Sequence, residues 1–307
     1  MSEAGWGILC HYLGPLPVSN GGCELSAEAW NEWIDAFDVP GLARQLASTR
    51  CGYFFITLGQ NSGHYLAPNA TYDRLTKITP SKCSRRDIVS ELYEHLAPVG
   101  IRLCAYIPSG APAADTVAMD ALGWEWGFEG GWPGGWGTRT GKRHVEFQRN
   151  WEAVLADWSR RFGEKVSAWW IDGCYFADEM YRFDDEPNFF SLAGAARSGN
   201  SDALVAFNPG VINPVLRHTP AEDFTAGEIN RDFPVLRERF IHGAQAHILT
   251  YLGDMWCAGE RPELNTEFVC AYVKQLRRAG AAITFDVPIE RSGLIRESFM
   301  TQLRAIE

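Results

Sequence analysis

Residues 168–173 read Ala168-Trp169-Trp170-Ile171-Asp172-Gly173, an apolar run that ends on a carboxylate and then on a glycine. Consecutive apolar residues predict a strand that is buried on both faces, as in a parallel sheet covered by helices. In an α/β barrel the C-terminal ends of the strands form the floor of the active site, and a charge there is costly unless it is paired or used. Asp172 is therefore the first candidate for catalysis, with the alternative that it caps the turn after the strand.

Apolar runs of the same kind recur along the chain, and helical patterns separate them. The sequence predicts strands at residues 6–13, 53–58, 101–107, 168–172, 204–207, 223–228, 247–252 and 282–287. It predicts helices at residues 26–37, 42–49, 87–96, 144–162, 189–197, 266–279 and 295–303, with Ser26 as the N-cap of the first. This alternation predicts a parallel sheet with right-handed crossovers. Eight strands within 307 residues predict an α/β fold, a (β/α)8 TIM-like barrel that forms a single domain over residues 1–307.

One stretch, at about residues 109–142, interrupts this alternation. It is rich in glycine and holds four of the 12 tryptophans of the chain, namely Trp124, Trp126, Trp132 and Trp136. A loop longer than about 15 residues inside a compact domain is usually functional. Two interpretations stay open: the indoles stack on a bound sugar, or they form a small satellite core that folds the loop on itself.

The composition excludes several classes of function. The net charge is −10 and no basic cluster is present, which argues against a nucleic-acid partner or an anionic membrane surface. No apolar run reaches the roughly 18 residues of a membrane span, and the start resembles no secretory signal, so we expect a cytoplasmic protein. The eight cysteines form no C-x-x-C pair, and no glycine-rich phosphate loop is present. We therefore expect no structural metal and no cofactor.

Polar residues gather at the predicted C-terminal ends of the strands. They are His11, Gln60, Asn61, His64, Asp172, Asn208, Glu228, Asp254 and Asp286. The aromatic residues Tyr65, Trp170 and Trp256 lie beside them in the sequence. Such a set suits a carbohydrate substrate, because hydroxyls need fixed donors and acceptors while the apolar face of a sugar ring stacks on indole.

Cleavage of a glycosidic bond needs two carboxyl groups, one against the anomeric carbon and one to protonate the leaving oxygen. Asp172 and Glu228 end the fourth and sixth predicted strands, and Glu222 is the nearest competitor for the acid. A metal-dependent hydrolase that uses His11, His64 and Asp172 is a weaker hypothesis, since the H-x-H and H-E-x-x-H spacings are missing. A barrel that binds carbohydrate without cleaving it is a further alternative, because a fold alone does not establish catalysis.

Several motifs resemble those of the family 29 glycoside hydrolases, the α-L-fucosidases. The opening Trp6-Gly7-Ile8-Leu9-Cys10-His11 resembles that family's tryptophan-glycine-hydrophobic-histidine start, and residues 30–37 resemble its first helix. Trp169-Trp170-Ile171-Asp172-Gly173 is similar to its nucleophile strand, and residues 223–228 are similar to the segment that often bears its acid/base glutamate. Residues 281–295 resemble its last strand and turn.

The resemblance implies a retaining exo-glycosidase in which Asp172 forms a glycosyl-enzyme, Glu228 acts as acid and then base, and His11 binds a sugar hydroxyl. The substrate would be an α-L-fucoside or a related sugar such as an α-L-galactoside or rhamnoside. The family usually has two histidines after its second strand, where this chain has Gln60 and Asn61. We expect no C-terminal β-sandwich, so a symmetric homo-oligomer or the Trp-rich loop could close the pocket.

Overall fold

The computed structural model describes residues 1–17, 22–125 and 142–307. Its strands are β1 (Trp6–Cys10), β2 (Tyr53–Thr57), β3 (Arg102–Pro108), β4 (Ala168–Asp172), β5 (Leu204–Phe207), β6 (Phe240–Ile241), β7 (Ala244–Gln245), β8 (His247–Tyr251) and β9 (Ala282–Asp286). Its helices are α1 (Ala27–Asp35), α2 (Val39–Ala47), α3 (Ala70–Thr76), α4 (Ile88–Leu96), α5 (Thr116–Leu122), α6 (Val145–Phe162), α7 (Ala177–Met180), α8 (Phe189–Ala196), α9 (Thr266–Arg278) and α10 (Glu297–Ala305).

Seven of these strands form one parallel sheet in the order β5-β4-β3-β2-β1-β9-β8, and β6 and β7 form a short antiparallel hairpin. Every strand of the parallel sheet coincides with a predicted strand to within a few residues. Because all seven run in one direction, their C-terminal ends lie along the same edge of the sheet. The predicted α/β class and the parallel sheet are thus confirmed.

The sixth predicted strand is the exception, so the sheet described has seven strands and the predicted closed eight-stranded barrel is not observed. Residues 223–229 make isolated bridges to the β7–β8 region, through Phe224 and Glu228. On the β5 side, the backbone N–H of Asp223 donates to Val205 O at 2.9 Å, but the Val205 N–H donates to the Asp223 side chain at 2.8 Å and not to a backbone carbonyl. The positive φ of Gly227, 64°, also interrupts the extended backbone.

Two separate sets of buried side chains follow the period of two along the strands. One face of the sheet contributes an inner cluster, which includes Tyr106, Trp170, Phe224, Ala226 and Leu249. The other face packs against the helices in a larger core that contains Trp169 and Ile171 among many others. Residues 224 and 226 thus complete the inner cluster together with the regular strands, even though their segment forms no regular ladder.

The helices cover the outer face of the sheet, and three of them, α3, α5 and the short α7, were not predicted. Ser26 caps α1 as predicted, with its hydroxyl accepting from Ala29 N at 3.1 Å. Helix α5 lies inside the stretch predicted to be an uninterrupted loop, because Asp115 supplies an N-cap and Gly123 ends the helix with a φ of 79°. Helix α3 is capped by Asn69 in the same way. None of the helices in the described ranges is long and apolar enough to cross a bilayer.

Gly227 allows the segment that carries Glu228 to approach β8 closely. A Cβ at this position would lie 1.9 Å from the carbonyl oxygen of His247. Gly100 has a similar φ, 77°, but no atom within 4 Å of such a Cβ. We expect Gly100→Ala to lower the free energy of unfolding by about 1–2 kcal/mol through backbone strain alone. We expect Gly227→Ala to lower the free energy of unfolding by roughly 1–3 kcal/mol more than Gly100→Ala does, because its Cβ would also clash with His247. Urea denaturation measures both losses. Equal losses in the two variants would contradict the close approach of this segment to β8.

Candidate active site

Asp172, Asn208 and Glu228 meet at the C-terminal edge of the sheet. Asp172 ends β4, Asn208 follows β5, and Glu228 lies on the segment between β5 and β8. The Asn208 amide nitrogen donates to Asp172 Oδ1 at 2.7 Å and to Glu228 Oε2 at 2.5 Å. The amide oxygen accepts from Gly210 N at 3.0 Å, which fixes the orientation of the amide. One buried side chain thus holds both carboxyl groups in place.

Asp172 is held by further donors. Its Oδ1 accepts from Gly173 N at 2.8 Å and from the Tyr175 hydroxyl at 3.3 Å, in addition to Asn208. Its Oδ2 accepts from the Tyr106 hydroxyl at 2.5 Å. Four donors thus fix the orientation of the Asp172 carboxylate at the end of β4.

Glu228 has a different electrostatic environment. Burial, and then the charge of Asp172, raise the pKa of Glu228 to about 7, although Asn208 and His11 act in the opposite direction. A carboxyl group with such a pKa is largely protonated at mildly acidic pH and can donate a proton. A proton donor of this kind beside a second carboxyl group provides the two groups that cleavage of a glycosidic bond needs.

Glu222, the competing candidate for the acid, lies in a different place. It is 2% exposed, and its two oxygens accept from the backbone N–H groups of His218 and Phe207, at 2.5 and 3.4 Å. Burial raises its pKa to about 8. Because both oxygens of Glu222 accept from backbone N–H groups, one of them at the end of β5, Glu222 stabilises the backbone on the β5 side of the sheet.

His11 extends the cluster on the side of β1 and β9. Its Nδ1 donates to Asp286 Oδ1 at 2.7 Å, and the other oxygen of Asp286 accepts from Cys257 N at 2.6 Å. Burial lowers the pKa of His11, but the charges of Asp286, Asp172 and Glu228 outweigh burial and raise it overall. With Nδ1 donating to Asp286, Nε2 donates to a ligand when the ring is protonated and accepts when the ring is neutral.

Asp286→Asn removes the largest of the charges that raise the pKa of His11. We expect the pKa of the imidazole to fall, because burial then dominates. The measurement is an NMR titration of labelled histidine, with His11→Gln used to assign the signal and His64 as the internal control. An unchanged His11 titration in Asp286→Asn would contradict the pairing described here.

Two predicted binding residues, Trp170 and Trp256, lie beside this cluster. Trp170 is 3% exposed, donates from Nε1 to Ala226 O at 3.1 Å and stacks on Tyr106. Trp256 is half-buried, and its ring meets that of Tyr251 edge-on at 5.0 Å. Asp254 is exposed, two residues before Trp256. Trp170 therefore supports the floor of the site from within the sheet.

The residues predicted after β2 separate into two groups. Gln60 belongs to the cluster, since its Nε2 donates to the Tyr106 hydroxyl at 2.5 Å. Asn61 is half-buried, and its backbone oxygen accepts from Ala114 N at 2.8 Å. The chain then turns back, with Gly59 and Tyr65 paired in an isolated bridge. This turn carries His64 and Tyr65 into the packed layer of the helices.

His64 and Tyr65 are both buried there. Burial, and then the charge of Lys82, lower the pKa of His64 to about 4, so the neutral ring donates from Nε2 to Leu25 O at 3.0 Å. The ring of Tyr65 packs against Tyr72 and Trp158, with centroids 5.0 and 4.8 Å apart. The structure therefore does not bring these two residues together with Asp172, and their packing is that of core residues.

Lys82 joins three loops beside His64. Its ammonium group pairs with Asp115 Oδ2 at 2.6 Å and with Glu24. Glu24 lies between β1 and α1, Lys82 between α3 and α4, and Asp115 at the start of α5. Lys82 and Asp115 are 9% and 3% exposed. Since a buried charge that loses its partner is costly, these loops are fixed relative to one another.

Trp124 lies at the edge of the Trp-rich stretch. It is 8% exposed and packs against Phe147 of α6, with ring centroids 4.5 Å apart. This one tryptophan therefore contributes to a packed core. Trp126, Trp132 and Trp136 lie outside the described residues.

Tyr106 and Tyr175 also belong to this cluster, although neither was predicted from the sequence, and Asp286 had no predicted role. Tyr106 pairs in register with Trp170 on the neighbouring strand, and Pro108 pairs with Asp172. Side chains two residues apart share a face, so Tyr106 lies on the same face as Asp172 and reaches it with its ring. A tyrosine two residues before a strand end, in register with the strand of Asp172, was the available signal.

Solved structures with a similar fold include several fucose-acting enzymes. The endo-fucoidan hydrolase P5AFcnA, of glycoside hydrolase family 107, is 14% identical with a TM-score of 0.71, over 99% of this chain and 90% of that chain. The endo-fucoidan hydrolase MfFcnA4 of the same family is 16% identical with a TM-score of 0.69, over 99% of this chain and 52% of that chain. The α-L-fucosidase AlfC from Lactobacillus casei is 15% identical with a TM-score of 0.66, over 99% of this chain and 95% of that chain.

No protein-family model and no curated protein matches the sequence. At the identities found among solved structures, the likeness shows a fold shared with fucose-acting glycoside hydrolases. The predicted resemblance to family 29 in particular stays a prediction, because the structures above include members of family 107 as well as an α-L-fucosidase.

Proposed function

We propose that the protein is a retaining exo-glycosidase that hydrolyses an α-L-fucoside or a closely related sugar. The observation that carries this proposal is the bridge from Asn208 to both Asp172 and Glu228. Because Asp172 Oδ1 and Glu228 Oε2 accept from one nitrogen, these two oxygens are at most about 5 Å apart. This separation supports a retaining mechanism, since the two carboxyl groups are roughly 5–5.5 Å apart in retaining enzymes and roughly 6.5–9.5 Å apart in inverting ones.

In the proposed mechanism, Asp172 attacks the anomeric carbon while the bond from that carbon to the leaving oxygen breaks. Glu228 gives its proton to the leaving oxygen, and the raised pKa of Glu228 supports this role. In the second step Glu228, now ionised, takes a proton from water, and the water oxygen displaces Asp172 from the sugar. The sugar leaves with its original anomeric configuration after two inversions.

The sugar would lie above the inner cluster of the sheet. His11 would bind a ring hydroxyl through Nε2, and Trp256 would offer an apolar surface to the sugar ring. The shared fold with an α-L-fucosidase and with endo-fucoidan hydrolases supports a fucose-type sugar. We also infer that residues 223–229 close the sheet into a barrel and that residues 1–307 act as one catalytic unit.

The test is hydrolysis of aryl α-L-fucoside, α-L-galactoside and α-L-rhamnoside, with a fucose-containing polysaccharide alongside. NMR of the first product formed from the preferred glycoside should show the α-anomer before mutarotation. A β-anomer would reject the retaining mechanism. Cleavage of the polysaccharide but of none of the aryl glycosides would indicate an endo-acting and not an exo-acting enzyme. No hydrolysis of any of these substrates, with sugar binding still detectable by calorimetry, would favour the alternative of a barrel that binds carbohydrate without cleaving it.

A further inference from the structure

The two oxygens of Asp172 have unequal environments. Oδ1 accepts from Gly173 N, Asn208 Nδ2 and Tyr175 OH. Within the described part of the chain, Oδ2 accepts from the Tyr106 hydroxyl alone. A carboxylate oxygen accepts about two hydrogen bonds comfortably, so Oδ1 is fully occupied and Oδ2 keeps a lone pair. Oδ2 is therefore the oxygen that can form a new bond.

The direction of the hydrogen bonds around Tyr106 follows from its single proton. Its hydroxyl lies 2.5 Å from Asp172 Oδ2 and 2.5 Å from Gln60 Nε2. An ionised carboxylate can only accept, so the tyrosine proton must point to Asp172. Gln60 must then present its NH2 group to the hydroxyl oxygen. The chain of donation thus runs from Gln60 to Tyr106 and on to Asp172.

Tyr106 is held rigidly and stays protonated. Its ring stacks on Trp170 with centroids 5.4 Å apart at 19°, and it meets the His11 ring edge-on at 5.3 Å. It is 1% exposed. Burial, and then the charge of Asp172, raise the pKa of its hydroxyl far above the usual range. The group is therefore a hydrogen-bond donor at every working pH.

We propose that Oδ2 is the attacking oxygen of Asp172 and that Tyr106 is a catalytic residue which stabilises this oxygen as a leaving group, with Gln60 as its positioning residue. This inference rests on the proposed function. When Oδ2 bonds to the anomeric carbon, the oxygen loses its negative charge and the hydrogen bond from Tyr106 weakens. When water displaces the sugar, the electron pair of the carbon–Oδ2 bond returns to Oδ2, and the hydrogen bond regains its full strength.

Tyr106→Phe should consequently slow the second step more than the first. With an aryl α-L-fucoside that has a good leaving group, kcat reports the second step and kcat/KM the first. A hydrogen bond to a charged group is worth a factor of about 10–100 in rate, so we expect kcat and KM both to fall by that factor while kcat/KM changes less. A burst of one equivalent of aryl alcohol should appear, and intact mass spectrometry should show the glycosyl-enzyme.

Gln60→Glu tests the direction of donation. An ionised glutamate of the same shape would accept the tyrosine proton and draw it away from Asp172, so this variant should accumulate the same intermediate. Because both changes act through one bond, Gln60→Glu combined with Tyr106→Phe should lose little beyond either single variant. If Tyr106→Phe fails to fold, Gln60→Glu alone decides the outcome.

Tyr272→Phe is the matched control. Tyr272 lies on helix α9, and its hydroxyl donates to Pro234 O at 2.8 Å, away from Asp172. We expect its kinetics to equal those of the wild type. If the wild type hydrolyses the glycoside but neither Tyr106→Phe nor Gln60→Glu shows a burst or a lower kcat, the inference is overturned and the proposed glycosidase activity stands. If the wild-type protein hydrolyses none of the glycosides, the proposed function itself is rejected.

Discussion

Asp172→Ala is expected to reduce turnover of an aryl α-L-fucoside by at least about 10⁴-fold, because the variant cannot form the glycosyl-enzyme. The fold should survive, since Asp172 ends its strand and the apolar residues of β4 lie before it. The measurement is the steady-state rate, with circular dichroism as the check of folding. A well-folded variant with appreciable activity would remove Asp172 from the mechanism.

Added azide separates a chemical role of Asp172 from a structural one. The small anion can enter the space left by the carboxylate and attack the anomeric carbon from the same face. An α-L-fucoside should then give a β-L-fucosyl azide, which NMR identifies. Asp202→Ala is the matched control: Asp202 is exposed just before β5, at the opposite end of the sheet, so its removal should leave the rate unchanged.

Glu228→Gln is expected to reduce kcat/KM by about 10²–10⁴-fold for substrates with poor leaving groups, because such leaving groups need a proton. Aryl substrates with very acidic leaving groups should lose much less in the first step. In the wild type, kcat/KM should fall as the pH rises through about 7, where Glu228 loses the proton that it must donate. Glutamine carries no such proton, so this fall should disappear from the pH profile of the variant.

Glu222→Gln distinguishes the two candidates for the acid. Its carboxyl oxygens bind the backbone N–H groups of His218 and Phe207, and glutamine can accept with only one of its two terminal atoms. We expect a loss of about 1–3 kcal/mol in the free energy of unfolding, with the fall in kcat/KM near pH 7 preserved. If that fall vanished in Glu222→Gln and persisted in Glu228→Gln, the two roles would have to be exchanged.

Much of the sheet was predictable from local pattern alone. A strand buried on both faces must be apolar throughout, so the runs that contain Trp169 and Val205 could be recognised without knowledge of their neighbours. The polar residue that follows such a run lies at the C-terminal edge of a parallel sheet, which is why Asp172 and Asn208 could be predicted to lie together.

Other features depend on contacts that no local pattern contains. The segment that ends at Glu228 looks like a strand, but the carboxylates of Glu222 and Asp223 take the N–H groups of β5 that a strand would have bound. His64 and Tyr65 follow β2 as site residues would, yet the turn after Gly59 folds them into the helical layer. The position of Tyr106 follows only from the register between β3 and β4.

The ion pairs of Lys82 have a practical consequence for altering specificity. Loops at this edge of the sheet are natural targets for exchange between related enzymes, and each is usually treated as a separate module. Here the segments that carry Glu24, Lys82 and Asp115 share one buried positive charge. Replacing the segment of Lys82 alone would leave Asp115 buried without its partner, and replacing the segment of Asp115 alone would remove the buried partner of Lys82. An engineer would therefore need to exchange these segments together.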